Sequence, residues 1–139
     1  MAYGTTIMCG YVFVSTRNKK TVEIEQSLLK HRGPDYSDEV DLDWARTRHW
    51  RLSIQDLSPH SNQPYSKQNS VLVYNGEIYN FREIGQDLYS KDFQSDTQLL
   101  FHCLENEDFD SIGNESGFYS FLFIDRSKRK FFGARDHFG

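Results

Sequence analysis

The stretch Val71-Leu72-Val73-Tyr74-Asn75-Gly76-Glu77-Ile78-Tyr79-Asn80 constrains the fold more tightly than any other part of the chain. It opens as a short apolar run rich in β-branched residues, the pattern of a buried strand. It then meets Asn75-Gly76 and a polar, helix-compatible segment, so the sequence predicts that the strand stops there. Gly76 is a position where the backbone can adopt positive φ or let a ligand approach closely, and Asn75 adds a side-chain amide donor beside the backbone N–H groups freed at a strand end. Two such donors could hold a developing oxyanion, at about 3–4 kcal/mol per donor when well placed. Asn-Gly between two elements also serves as a plain turn, so its meaning depends on what the rest of the chain supplies.

Upstream, Ile7 to Val14 reads as a first strand that contains Cys9. Val22, Ile24, Leu28 and Leu29 recur near helical spacing, with Glu23, Glu25 and Lys30 on the other side, which predicts an amphipathic helix from Thr21 to His31. The Gly and Pro of His31-Arg32-Gly33-Pro34-Asp35 end it. The acidic run Asp38 to Asp43 is expected as a solvated loop, Trp44 to Ile54 as a strand with Arg51 near its end, and Asp56 to Lys67 as loop. Downstream, Phe81, Ile84 and Leu88 mark a short helix over Phe81 to Tyr89, with Asn80 as its cap. Ser95 caps a second helix whose apolar face carries Leu99, Leu100, Cys103 and Leu104. Phe118 to Asp125 and Lys130 to Arg135 form a hairpin through the polar turn Arg126-Ser127-Lys128-Arg129.

Composition narrows the function classes. The 16 Lys and Arg against 20 Asp and Glu give a net charge of −4, and the basic residues are scattered, so nucleic-acid binding has no electrostatic footprint. Eleven Phe, eight Tyr and two Trp make up for a modest aliphatic content and are expected mostly in the core. Cys9 and Cys103 have no metal-ligand spacing. The chain shows neither a signal peptide nor a long apolar span, so no membrane association is expected, and it reads as cytoplasmic with reduced thiols.

Taken in order, Met8-Cys9-Gly10, His31-Arg32-Gly33-Pro34-Asp35, Arg51-Leu52-Ser53-Ile54, Gln63-Pro64, Asn75-Gly76-Glu77-Ile78-Tyr79-Asn80, Ser95-Asp96-Thr97 and Ala134-Arg135-Asp136-His137-Phe138-Gly139 form a set that spans nearly the whole chain. That set resembles the glutaminase domain of class II glutamine amidotransferases, closest to the asparagine synthetase type. The resemblance implies an α+β fold, the four-layer αββα sandwich of N-terminal nucleophile hydrolases with two mainly antiparallel sheets. It also implies a leader over residues 1–8 and an amidotransferase domain over 9–139. In the family, more of the domain follows the last motif, so this one is expected to be shortened at its C-terminus. Its open sheet edge would then be covered by a partner or a second copy. A chain of 139 residues is too short for a separate synthetase domain.

The resemblance carries roles onto particular residues. Cys9 is the nucleophile, and its own α-amine is the base, a scheme that suits reference pKa values of about 8 for the amine and about 8.5 for the thiol. Asn75 and the N–H of Gly76 form the oxyanion hole. Arg51, with Leu52 and Ile54 of the same motif, binds the glutamine α-carboxylate through a guanidinium fork. Asp96 binds the α-ammonium, and Glu77 lies nearby in the substrate pocket. A carboxylate near a helix N-terminus is expected to stay ionised. The His31–Asp35 loop supports the pocket, and His49 is structural. Trp50 stands where the family often has an acidic residue and is expected to tune a surface or interface. Gln98 replaces a common Glu.

One departure bears on mechanism. Eight residues precede Cys9, so its nitrogen is a peptide N–H as written. Cleavage of the leader, translation from Met8 with removal of that Met, and catalytic silence are the three readings. The expected function is glutamine amide hydrolysis through a Cys9 thioester, supplying ammonia to a separate acceptor or synthetase. The alternative is a silent glutamine-binding or regulatory subunit. No cofactor is expected on this domain, and any ATP and Mg²⁺ would act on the synthetase partner.

Overall fold

A computed structural model of the protein describes residues 9–15, 23–53, 58–113 and 116–137. Its strands are β1 (Gly10–Ser15), β2 (Tyr36–Leu42), β3 (Ala45–Arg51), β4 (Tyr65–Lys67), β5 (Ser70–Ile78), β6 (Gly117–Asp125) and β7 (Lys130–Arg135). A 3-10 turn spans Pro59–Ser61, and the helices are α1 (Phe81–Tyr89), α2 (Asp96–Glu105) and the short α3 (Phe109–Ile112). The strands form two antiparallel sheets, one ordered β1-β3-β2 and the other β4-β5-β6-β7. The fold is thus α+β, with two antiparallel sheets as the sequence implies.

β5 is the strand around which both layers pack. Side chains alternate across a strand, and here both faces are apolar. Leu72 and Tyr74 join Leu99, Leu100, Leu104, Phe121 and Phe123 in a core under α1 and α2. Val71 packs the other way, with Trp44, Ala45 and Ile124, between the sheets. Val71, Leu72 and Val73 are fully inaccessible to solvent, and burial of each contributes about 1.5–3 kcal/mol. β6 pairs with β5 along its whole length, from Ser70 opposite Asp125 to Ile78 opposite Gly117. β7 lies at the sheet edge among the described residues and is exposed throughout.

Several expectations are corrected. The apolar strand does not stop at Asn75-Gly76 but runs on to Ile78. Gly76 is required there by β6 itself: its φ is +156°, and a Cβ would lie 2.2 Å from the Phe118 carbonyl oxygen. Residues 23–32 form no α-helix. They make successive i→i+3 turns, with Leu28 N–H on Glu25 O and Arg32 N–H on Leu29 O, while the Trp50 indole N–H takes the Gln26 carbonyl at 2.9 Å. Residues 21 and 22 of that expected helix lie outside the described set. Trp50 is consequently 1% exposed under this segment and shapes no surface.

The acidic run is strand β2 rather than a loop. Glu39 and Asp41 face the guanidinium groups of Arg46 and Arg48 on β3, and these pairs let charged side chains sit on the outer face of a sheet. Only part of the 56–67 segment is loop, because Tyr65–Lys67 adds β4. Asn80 holds the N-cap position of α1, as expected, but its side chain makes no capping hydrogen bond to the helix. Its side-chain oxygen accepts the Ser116 N–H at 2.8 Å, tying the helix start to the approach of β6.

Candidate active site

A cavity of about 340 Å³ opens where the ends of β3 and β5 meet the N-terminus of α2. Cys9, Arg51, Leu52, Gly76, Glu77 and Asp96 all line it. They come from four separate segments of the sequence, and the fold gathers them into one wall. Of the remaining expected residues, Ile54 lies outside the described set. Asn75 is half-buried and follows Tyr74 on β5, but it is not among the residues that line the cavity.

Cys9 sits immediately before β1, half-buried beside the chain that leaves β3. Its sulfur accepts the Leu52 N–H at 3.2 Å, and its thiol reaches the Leu52 carbonyl at 3.4 Å. Burial pushes the thiol pKa up. The Leu52 N–H pulls it down, the Glu77 charge raises it, and Arg51 lowers it. The turn after Gly33 holds this neighbourhood in place. Asp35 N–H donates to Arg51 O at 3.1 Å, and its carboxylate accepts the Ser53 N–H at 2.7 Å, so residues 51–53 are clamped from both ends. Gly33 permits the approach, since a Cβ there would lie 2.2 Å from the Trp50 carbonyl carbon.

Arg51 is 6% exposed although charged. Its Nη1 donates to Ser58 O at 2.9 Å and to Asn62 Oδ1 at 2.5 Å. Those partners fix the guanidinium plane, which matters because a planar fork selects a planar carboxylate only when its orientation is set.

Asp96 is the first residue of α2, after Ser95, whose side chain accepts the Gln98 N–H and caps the helix. The Asp96 carboxylate takes three donors. Oδ1 accepts the Thr97 N–H at 2.7 Å, while Oδ2 accepts the Tyr74 hydroxyl at 2.9 Å and the Ile78 N–H at 3.1 Å. Burial raises its pKa, and those three bonds oppose the rise without cancelling it. Burial and these three donors thus act on its charge together with the helix terminus. Glu77, on β5, is pushed up to about 7, first by burial and then by the charge of Asp96. Two carboxyl groups in one partly desolvated pocket favour either a proton or a cation between them.

The sequence reads the residues that finish the edge of β5 only as a turn motif at Gln63 and a structural His49, without their partner Tyr74. β4 pairs only as far as Leu72, so the next backbone groups need other partners. Gln63 Oε1 accepts the Tyr74 N–H at 2.6 Å, and the buried His49 donates Nε2–H to Tyr74 O at 3.0 Å. Two side chains thus stand in for a strand. A hydroxyl-bearing aromatic in an otherwise aliphatic run was the available signal for Tyr74.

Among the described residues, no group of three or more His, Cys, Asp and Glu side chains could hold a metal ion. Among them also, no helix is long and apolar enough to cross a membrane.

The family model of the glutamine amidotransferase domain matches residues 7–139, and the chain belongs to that family. Its relatives include the asparagine synthetases that hydrolyse glutamine. That enzyme from Zea mays is 31% identical over 139 residues, which is 98% of this chain and 24% of the maize protein. Asparagine synthetase B of Escherichia coli K12 is 32% identical over 125 residues, 87% of this chain and 22% of that protein. Amidase chyE of Penicillium rubens is 33% identical over 125 residues, 84% of this chain and 18% of the amidase. The chain thus spans about a quarter or less of the length of these relatives.

Proposed function

We propose that the domain hydrolyses the side-chain amide of glutamine and supplies the ammonia to a synthetase-type acceptor. The observation that carries this is the convergence of Cys9, Arg51, Glu77 and Asp96 on one cavity, a nucleophile flanked by one cationic and two acidic groups. Arg51 would take the α-carboxylate, and Asp96 with Glu77 would take the α-ammonium. The Cys9 thiolate attacks the amide carbon to give a tetrahedral oxyanion held by the Gly76 N–H of the cavity wall and by the Asn75 side chain, which would have to turn in from beside that wall. The C–N bond then breaks, and the nitrogen takes up a proton and leaves as ammonia. Water cleaves the thioester that remains, giving glutamate and the free thiol. The proton of the thiol goes to the α-amine of Cys9 when that nitrogen is N-terminal. ATP and Mg²⁺ chemistry belongs to the acceptor partner in this scheme.

A second reading keeps the pocket without turnover. Burial raises the Cys9 thiol pKa, so the thiol depends on a base, and an amide nitrogen at Cys9 cannot serve. The protein would then bind glutamine as a silent or regulatory subunit. Intact mass spectrometry of protein made in its natural host, with a glutaminase assay on the same sample, separates the two. A mass beginning at Cys9 together with glutamate release is the expected result. A retained N-terminal extension with no glutamate formed would overturn hydrolysis in favour of binding alone.

A further inference from the structure

We propose that Tyr74 is a positioning residue whose hydroxyl holds Asp96 ionised and aimed into the cavity, and so sets the affinity of the site for an α-ammonium group. Tyr74 is 2% exposed, and its backbone is fixed on both sides, by Gln63 Oε1 on its N–H and by His49 Nε2 on its carbonyl. The ring therefore projects from an anchored point of β5. Its hydroxyl donates to the same Asp96 oxygen that accepts the Ile78 N–H. The carboxylate cannot rotate away without losing both bonds. A donor on a buried carboxylate favours the charged form, and burial opposes it. The other charged or titratable groups lining the cavity are Glu77 on β5, Arg51 on β3, Arg82 on α1 and Cys9 before β1. Of these, Glu77 responds to the Asp96 charge, which helps to raise its own carboxyl.

A core tyrosine with a satisfied hydroxyl would explain the burial and the bond equally well. The two accounts differ in what Tyr74→Phe does to Asp96. The Asp96 carboxyl is followed by ¹³C NMR as a function of pH in the whole protein and in Tyr74→Phe, a measurement that needs no glutamine. The expected result is a midpoint moved to higher pH, with protons bound at least about threefold more tightly. An unchanged midpoint overturns the proposal.

The kinetic arm alone rests on the glutaminase reading. Tyr74→Phe is expected to raise KM for glutamine about threefold near pH 8, and by more at a pH close to the Asp96 midpoint that the titration finds in the variant, with kcat falling less than threefold. A loss confined to kcat, or equal KM changes at both pH values, would mark a merely structural role. Should Tyr74→Phe not fold, site-specific 3-fluorotyrosine at position 74 keeps the ring and strengthens the donor. The Asp96 midpoint should then fall, and an unmoved midpoint again overturns the proposal. A wild-type protein that neither binds nor hydrolyses glutamine would refute the functional reading, while the titration would still decide the role of Tyr74.

Discussion

The Cys9 sulfur and the Leu52 peptide meet in two opposite senses, the Leu52 N–H donating to sulfur at 3.2 Å and the thiol reaching the Leu52 carbonyl at 3.4 Å. Ionisation would strengthen the first contact and turn the second repulsive. A thiolate at this position would therefore keep the Leu52 N–H as its partner and lose the carbonyl contact. Residue 52 holds that position because Asp35 bonds to both Arg51 and Ser53.

Cys9→Ala is expected to abolish glutamate formation and to leave glutamine bound, because the thiol contributes the reacting pair of electrons and the charged recognition comes from other segments. A glutaminase assay and calorimetric titration of the same variant check both halves. Turnover that survives the substitution would remove Cys9 from the mechanism.

Arg51→Ala or Asp96→Ala should each weaken glutamine binding by at least ~1.5–3 kcal/mol, the worth of hydrogen bonds to charged groups. Each side chain is buried or nearly so among named partners, so circular dichroism must first show that the variant folds. Folded variants with wild-type glutamine affinity would sink the assignment of both ends of the ligand.

The sequence made the site legible where chemistry and local structure coincide. Ser95 and Asp96 open α2 as the cap pattern predicts, and helix α1 falls on Phe81–Tyr89 because its apolar spacing is regular. Failures came where a distant partner overrides local preference. The turn segment 23–32 has helical spacing, yet the Trp50 indole occupies the Gln26 carbonyl that a helix would use. β2 looks like loop until Arg46 and Arg48 are placed beside it. Tyr74 draws its meaning from Gln63, His49 and Asp96, which are 11, 25 and 22 residues away. No window of sequence contains that junction.

Glu77 gives the site a pH dependence of definite sign. Its carboxyl is raised to about 7, so below that pH it is neutral and the pocket has one fewer negative charge for an ammonium group. Glutamine affinity measured in Cys9→Ala should therefore strengthen as pH rises through about 7, and Glu77→Gln should flatten that rise. The linkage to stability runs the other way. A carboxyl whose folded pKa is raised favours folding below its unfolded value and loses that contribution as pH rises through about 7. Glu77→Gln should accordingly unfold at a higher temperature than wild type at pH 8, with weaker binding. Parallel affinity curves for the two proteins across pH 6–8 would dismiss Glu77 as the titrating group.

His49 supplies the opposite linkage. It is completely buried, it donates to Tyr74 O, and its Nδ1 has no hydrogen-bond partner among the described residues. Burial, the largest cause, lowers its pKa from 6.5 to about 4. The bond to Tyr74 opposes that shift, and the Arg51 charge adds to it. Because the folded pKa is depressed, the stabilising contribution is present above about pH 6.5 and is lost as pH falls through about 4. At roughly 1.4 kcal/mol per pKa unit, the full difference is on the order of 3 kcal/mol. His49→Gln keeps an amide donor for Tyr74 O and removes the titration. Urea unfolding at pH 7 and pH 4 should show wild type losing more stability than the variant over that interval, by up to that amount. Identical losses would mean that the acid sensitivity of the inter-sheet junction lies elsewhere, and that Tyr74 keeps its backbone anchor when His49 is protonated.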